Sequence, residues 1–80
     1  MTIGQATAQR IYELCKSRNI TVNSLSYICG MTQSTLNNIV NGGSQNPKLA
    51  TIKKICDGLE ITLSQFFDTN LFNDLEQEIK

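Results

Sequence analysis

Apolar side chains recur along this chain every three or four residues, and no segment alternates apolar and polar positions for long. The spacing is clearest in two short stretches, one containing Leu25, Ile28 and Cys29 and the other Leu36, Ile39 and Val40. Residues spaced in this way share one face of an α-helix, which is then expected to be buried. The pattern therefore predicts an all-α fold, a compact bundle of five or six short helices.

Residues that favour helix ends mark where these two helices begin and stop. Thr21 and Thr32 are the predicted N-caps, because a threonine side chain can accept a hydrogen bond from the first turn. Gly30 lies between the two helices and is the predicted left-handed stop of the first. The two helices are therefore predicted to be joined by a tight turn that contains glycine.

The same test predicts four more helices on either side of this pair. They run over about 4–17, from Pro47 to about 59, over about 62–67 with Thr62 as N-cap, and over about 70–79. In the helix that begins at Pro47, Asn46 is the predicted N-cap and Leu49 belongs to the predicted buried face. A chain of 80 residues has room for one small domain, so these helices are predicted to share one core.

The formal net charge is zero, but the two signs are unevenly distributed along the chain. Residues 1–56 contain six basic residues and one acidic residue, and residues 57–80 contain one basic and six acidic residues. A basic body, residues 1–56, followed by an acidic segment suggests that the body binds an anion. The alternative is an ordinary helical surface on which the charges happen to be split.

The chain lacks the residues that several classes of function need. The chain has no His, and its three cysteines, Cys15, Cys29 and Cys56, form no CxxC pair and are predicted to be buried as small hydrophobic residues. We therefore expect no enzyme, no cofactor and no metal site. No apolar run exceeds three residues and the N-terminus does not resemble a secretory signal, so no membrane contact and a cytoplasmic location are expected.

Two short helices with a glycine-containing turn are typical of a helix-turn-helix if the second helix has a free polar face. On a helical wheel, Ser34, Asn38 and Asn41 lie opposite the apolar residues, with Gln33 and Asn37 beside them. Side-chain amides can pair with base edges in the major groove of DNA. Because all these residues are uncharged, they could enter a groove without leaving an unpaired charge there.

The segment from Thr21 to Ile39, TVNSLSYICGMTQSTLNNI, resembles the helix-turn-helix of the phage-repressor or Cro-like family, also called the XRE family. The matching positions are Ser26, Gly30, Gln33, Leu36 and Ile39, and the similarity covers roughly residues 8–67. The resemblance implies a lambda-repressor-like DNA-binding domain over residues 1–68. It also implies a sequence-specific regulator of transcription, which we expect to be a repressor that inserts helix 32–41 into the major groove of double-stranded DNA.

The resemblance also implies individual contacts with DNA. The residues expected to contact bases are Thr32, Gln33, Ser34, Asn37 and Asn38. Those expected to contact the sugar-phosphate backbone are Asn23, Asn41, Gly43, Ser44, Gln45, Asn46 and Lys48. The family often has Gln at the first position of the motif, where this chain has Val22, and Asn23 is the candidate replacement. An Arg–Glu pair common in the family is replaced by Cys15 and Val40, so both charges are absent together.

Residues 69–80, the tail, are predicted to be helical, with an apolar stripe that has two possible roles. The stripe could pack on its own domain, or it could form a two-fold homodimer contact, which we favour because it would suit a palindromic operator. The candidate dimer residues are Phe67, Leu71, Phe72, Leu75 and Ile79. The zero net charge and Val22 leave open a competing function, a protein-interaction module such as an antitoxin or an antagonist of another regulator.

Overall fold

The computed structural model describes residues 1–41 and 46–79, and in this part of the chain all regular structure is helical. The five α-helices are α1 (Ile3–Arg18), α2 (Val22–Cys29), α3 (Gln33–Val40), α4 (Leu49–Leu59) and α5 (Leu63–Phe67), and a 3₁₀ turn follows at Asn70–Phe72. The predicted all-α class is confirmed.

Threonine side chains cap the N-termini of four of the five α-helices. Thr2, Thr21, Thr32 and Thr62 each accept a hydrogen bond from the backbone N–H three residues further on. At Thr2 and Thr62 a glutamine three residues later also accepts from the cap's own N–H, which completes a capping box. The predicted N-caps at Thr21, Thr32 and Thr62 are confirmed, and they fix the entry of the chain into α2, α3 and α5.

Left-handed residues end α1, α2 and α4. Asn19, Gly30 and Glu60 have φ angles of 56°, 67° and 58°. After α2 the N–H of Met31 donates to the carbonyl of Ser26 at 2.9 Å, so Gly30 closes the helix as predicted. Asn19 and Glu60 show that a polar side chain can accept this conformation where the chain has no glycine.

The core takes residues from all five α-helices. Its buried members are Ile11, Leu14, Cys15, Leu25, Cys29, Leu36, Ile39, Val40, Ile52, Ile55, Cys56, Leu59 and Phe66. The three cysteines are free thiols in this core, as predicted, and burial raises the pKa of each one. They therefore act as packing residues rather than as nucleophiles.

Two arginines of α1 bind the carboxyl ends of other helices. Arg10 Nε donates to the carbonyl of Phe66 at 2.6 Å, and Arg10 Nη2 donates to the carbonyl of Gln65 at 2.8 Å. Arg18 Nη2 donates to the carbonyl of Leu59 at 2.6 Å. Both cations lie where helix dipoles are negative, so these contacts fasten α5 and the end of α4 to α1.

The predicted start of α4 is wrong. The helix begins at Leu49 and its N-cap is Lys48, with no side-chain capping bond, so Asn46 is not the cap and Pro47 is not in the first turn. Leu49 is 65% exposed, which corrects its predicted place on the buried face. The buried face of α4 starts one turn later, at Ile52, because the first turn extends beyond the core.

The prediction that Ile28 lies on the buried face of α2 is also wrong. Its side chain is 50% exposed on α2, although Cys29 beside it is buried. Ile28 lies at the edge of the contact with α4, where its Cγ2 atom would be 3.2 Å from a Cβ built on Gly58. The same Cβ would lie 2.7 Å from Cys29 Sγ, so the missing side chain of Gly58 allows α2 and α4 to approach closely.

The predicted helix over 70–79 is wrong, since only Asn70–Phe72 is helical and the chain to residue 79 is irregular. Phe72 still packs inward, with its ring 4.9 Å from that of Phe67 and 6.2 Å from that of Phe66. Asn73 Nδ2 donates to Asn70 Oδ1, a local bond of the kind that competes with helix formation. The tail returns to the N-terminus, where the N–H of Glu76 donates to the carbonyl of Met1 at 3.1 Å.

Candidate nucleic-acid interface

Helix α3 is held against the core by its apolar face. Leu36, Ile39 and Val40 are at most 7% exposed, and α3 packs on α1 and α2 through them. The connection from α2 is only three residues long, Gly30 to Thr32, and Met31 in its middle packs against the core. The orientation of α3 is therefore fixed along its whole length.

The opposite face of α3 carries uncharged polar side chains. Gln33, Ser34, Asn38 and Asn41 are exposed, as the helical wheel predicted, and Asn37 is half-buried at the edge of this face. The amides offer donors and acceptors in pairs, the pattern that matches base edges in the major groove. The separation of the two faces is confirmed, while the contacts that these side chains make with bases remain a prediction.

Thr32 forms a hydroxyl cluster at the start of α3. Its Oγ1 atom accepts from the N–H of Thr35 at 3.2 Å and lies 2.7 Å from Thr35 Oγ1 and 3.4 Å from Ser34 Oγ. Thr32 was predicted both as an N-cap and as a base contact. Its Oγ1 atom is already engaged in the capping role. Gln33 and Ser34 are consequently the first side chains of α3 with hydrogen-bonding capacity directed to solvent.

Tyr27 of α2 is a candidate contact residue that the sequence interpretation missed. Its side chain is 78% exposed, and Gln33 Nε2 lies 3.5 Å from its hydroxyl oxygen, at the outer limit of a hydrogen bond. The only signal in the sequence is an aromatic residue beside the polar end of the motif. Because the two residues lie on different helices, their proximity becomes visible only in the folded structure.

A groove of about 570 Å³ separates α3 from the start of α4. It is lined by Ser34, Thr35, Asn38, Ile39, Asn46, Pro47, Lys48 and Thr51. Two predicted base contacts, Ser34 and Asn38, thus share one groove with two predicted backbone contacts, Asn46 and Lys48. A neighbouring cleft of about 240 Å³ also includes Thr35 and Thr51 and adds Lys54, which the prediction omitted.

Of the other residues predicted to contact the DNA backbone, the structure describes Asn23 and Asn41. Asn23 is exposed in the first turn of α2, and Val22 beside it is half-buried against the core, where it offers no polar group to a phosphate. Asn41 is exposed directly after α3. Gly43, Ser44 and Gln45 lie outside the residues that the structure describes.

The basic body contributes fewer cations to this surface than its composition suggests. Arg10 and Arg18 bind helix ends, and Lys53 pairs with Asp57 on α4. Lys48 and Lys54 line the two clefts beside α3. The charge available to an anion near α3 is therefore modest, and polar hydrogen bonding dominates the chemistry of the surface.

Two structural findings bear on other classes of site. Among residues 1–41 and 46–79, no three side chains of the His, Cys, Asp or Glu types come together as metal ligands would. In the same residues, every helix is too short or too polar to cross a bilayer.

Comparisons with known proteins agree with this geometry. The family model of the Cro/C1-type HTH DNA-binding domain matches residues 10–71. The crystal structure of the prophage Lp1 protein 11 superposes with a TM-score of 0.82 and 33% identity, over 94% of this chain and 99% of that one. An HTH_3 family transcriptional regulator from Vibrio cholerae gives a TM-score of 0.76 and 31% identity, over 85% of this chain and 38% of that one.

The chain belongs to the Cro/C1-type helix-turn-helix DNA-binding domain family, a family of DNA-binding domains rather than of enzymes. It is also 40% identical over 53 residues to the uncharacterized HTH-type transcriptional regulator RghRB of Bacillus subtilis strain 168. That match covers 66% of this chain and 38% of the length of RghRB.

Proposed function

We propose that this protein is a sequence-specific regulator of transcription that binds double-stranded DNA in the cytoplasm and acts as a repressor. The observation that carries the proposal is the two-sided character of α3, which has an apolar face anchored in the core and an exposed face of amides and hydroxyls. A helix presented in this way fits the major groove of B-DNA. Family membership supports the same function.

Base recognition is assigned mainly to Gln33, Ser34 and Asn38. An amide can bind adenine with two hydrogen bonds, donating to N7 and accepting from the N6 amino group. Ser34 and Asn38 line the groove beside α4, and Gln33 lies at the tip of α3 beside Tyr27. Thr32 is proposed to contribute its methyl group rather than its occupied oxygen, and Asn37 to act from the edge of the face.

Phosphate binding is assigned to residues on both sides of α3. Asn46 and Lys48 lie at the amino end of α4, where backbone N–H groups and the helix dipole favour an anion. Asn23 and Asn41 are exposed at the ends of α2 and α3. Contacts of this kind position the protein on DNA, while the amides of α3 provide the sequence preference.

The active species is proposed to be a homodimer on a palindromic operator. A two-fold dimer places two recognition helices about 34 Å apart, which matches successive major grooves on one side of DNA. Repression would then follow from occupying a promoter that the polymerase also needs.

Selection of bound sequences from a random DNA pool tests this proposal. Wild-type protein should enrich a palindromic sequence, and Gln33→Ala and Asn38→Ala should each lower affinity for it by about 5- to 100-fold. Gln77→Ala provides the control, because it removes an exposed amide from the tail. Failure of the wild type to enrich any sequence would contradict the proposed function.

Two observations favour a second candidate function, a protein-interaction module on the same scaffold. The net charge is zero, and Val22 offers no polar group where the family often has Gln. An antitoxin or an antagonist of another regulator would form a stable complex with a different protein and would gain no thermal stability from DNA. A rise in Tm with an enriched operator, absent with scrambled DNA, would reject this alternative.

A further inference from the structure

Gln33 lies at the start of α3, where its side-chain amide approaches the neighbouring helix α2. The Nε2 atom of Gln33 is 3.5 Å from the hydroxyl oxygen of Tyr27, with the amide as donor and the hydroxyl as acceptor, at the outer limit of a hydrogen bond. Both residues are exposed, Tyr27 by 78%. A DNA base can therefore reach the Gln33 amide while one N–H group of that amide is directed to Tyr27.

The contact with Tyr27 limits what the Gln33 amide can offer to a base. A primary amide has two N–H donors and one oxygen acceptor. One N–H of Gln33 is directed to Tyr27, which leaves the other N–H and the Oε1 atom. These two groups can bind a base with two hydrogen bonds only where the base presents one acceptor and one donor side by side.

Adenine and guanine differ in this respect. In the major groove, adenine presents the N7 acceptor beside the N6 amino donor, whereas guanine presents two acceptors, N7 and O6. Guanine would therefore need both N–H groups of the amide, and one of them is directed to Tyr27. In this arrangement Gln33 can form two hydrogen bonds with adenine but only one with guanine.

The charges around the helix-turn-helix give independent support for adenine. Guanine is most often recognised by the paired donors of Arg or by Lys. The sequence between Asn19 and Pro47, which includes α2 and α3, contains no charged residue. Lys54 shares a cleft with Thr35, which follows Gln33 by two residues and therefore lies about 200° away around α3. Recognition at Gln33 thus depends on its amide and not on a charged side chain of α2 or α3.

We propose that Tyr27 is a positioning residue that makes Gln33 specific for adenine over guanine. The operator then has an A·T pair, with adenine towards α3, at the base pair that Gln33 contacts. This inference deepens the proposed function and rests on it. Tyr27 sets the preference without contacting the base itself, because it determines which groups of Gln33 remain free.

The same geometry predicts that methylation of N6 of this adenine blocks the contact. One N6 hydrogen pairs with thymine, and the other is directed into the major groove, where Gln33 Oε1 would accept it. In an intact base pair the methyl group replaces that second hydrogen, so the donor is lost and a carbon atom faces the amide oxygen. Methylation of the operator would thus regulate binding without any change in the protein.

Fluorescence anisotropy with variants of the selected operator tests the inference. The base pair that Gln33 contacts is identified as the one at which Gln33→Ala loses its preference among bases. There, wild type should bind A·T about 5- to 100-fold more tightly than G·C. Tyr27→Phe should reduce this ratio by about 2- to 10-fold, because both N–H groups of Gln33 become available to guanine.

Two controls separate this effect from a general loss of binding. Tyr12→Phe removes a hydroxyl group from α1 and should leave the ratio unchanged. In Tyr27→Phe itself, the preference at the base pair that Asn38 contacts should also stay unchanged. Circular dichroism should give the same Tm for Tyr27→Phe as for wild type, because the side chain is mostly exposed.

A methylated operator provides the second arm of the experiment. N6-methyladenine at the base pair that Gln33 contacts should weaken binding of the wild type by about 5- to 100-fold. Gln33→Ala should bind the methylated and unmethylated operators almost equally, because it has no amide to lose. Methylation of an adenine outside the enriched sequence is the matched control and should change neither affinity.

Three results would overturn the inference while the proposed function stands. Tyr27→Phe could weaken binding to the A·T and G·C operators equally, which would show that Tyr27 does not set the preference. Wild type could prefer guanine at this base pair, which would show that Gln33 presents both N–H groups to the base. N6-methylation could leave binding by the wild type unchanged, which would exclude the two-bond contact. If wild type enriches no sequence at all, the proposed function fails and the inference fails with it.

Discussion

Helix α3 and the tail both have apolar residues at helical spacing in the sequence, but only α3 folds as a full helix. In α3 the cap Thr32 fixes the first turn, and Leu36 and Ile39 reach a core that other helices have already formed. In the tail Phe72 reaches the core, whereas Leu75 is half-buried and irregular chain follows the single 3₁₀ turn. Apolar spacing therefore permits a short helix, and burial against neighbouring helices decides whether it forms.

The difference between α3 and the tail also bears on base recognition. A surface that reads bases needs side chains held in one orientation, and α3 provides this because its buried face leaves it no freedom to rotate. The tail is held by fewer contacts, chiefly the packing of Phe72 and the hydrogen bond from Glu76 to Met1. Local opening of the molecule should therefore begin in the tail rather than in the helix-turn-helix.

Matched leucine truncations should show the largest difference between the two regions. Leu36→Ala should lower the free energy of unfolding by about 2–5 kcal/mol, because Leu36 is fully buried under α3. Leu75→Ala should cost less than about 1 kcal/mol, because Leu75 is only half-buried in the tail. Urea denaturation followed by circular dichroism measures both, and equal losses would break the comparison.

Gly58→Ala tests the packing that positions α2, and through it α3. A Cβ at this position would lie 2.7 Å from Cys29 Sγ and 3.3 Å from Cys29 Cα. We expect a loss of about 1–3 kcal/mol from overpacking, which exceeds the gain of about 1 kcal/mol that alanine usually brings inside a helix. An unchanged or raised Tm would show that α2 and α4 can separate without cost.

Tyr27→Phe tests whether α2 helps to orient the amide of Gln33. Removing the hydroxyl should weaken binding to the selected operator by about 2- to 10-fold, the usual worth of one hydrogen bond. The loss should disappear in the Gln33→Ala background, because the two side chains then no longer interact. Tyr12→Phe provides the control on α1, and an equal loss there would remove Tyr27 from the interface.

High pH should lower the stability of the helical core, which contains all three cysteines and none of the tail's irregular segment. Burial raises the pKa of Cys15, Cys29 and Cys56 above the ordinary value of 9.0, so the folded state keeps protons that the unfolded state releases. This stabilisation is fully present below about pH 9 and is lost as the pH rises through the folded-state pKa. Stability measured at pH 8 and 10 should therefore fall more steeply in wild type than in Cys56→Ala, and equal slopes would contradict this assignment.

Local signals account for what could be predicted from the sequence. Thr21, Thr32, Thr62 and Gly30 act within their own turns, so residue type and position were sufficient to predict their roles. The start of α4 was misplaced because Asn46 and Pro47 form a favourable cap and first turn as a pair, while the helix begins at Leu49. The polar face of α3 was also predicted from residue spacing, whereas Tyr27 of α2 was not identified as a contact residue.

Contacts between distant parts of the chain could not be predicted in the same way. Arg10 binds carbonyls more than 50 residues further along, and nothing in its neighbours distinguishes it from a cation that is free to bind phosphate. The groove between Ser34 and Lys48 and the approach of Tyr27 to Gln33 also depend on how the helices pack. The candidate site was thus predicted as a list of residues, and its shape required the folded chain.

The bonds from Arg10 and Arg18 to helix ends have a practical consequence for handling the protein. They are short contacts to backbone carbonyls in partly buried positions, where dissolved ions screen them weakly. Contacts between lysines and phosphates, in contrast, weaken steeply as salt is added. Concentrated salt should therefore elute this protein from immobilised DNA in its native shape, and dilution should restore binding without a refolding step.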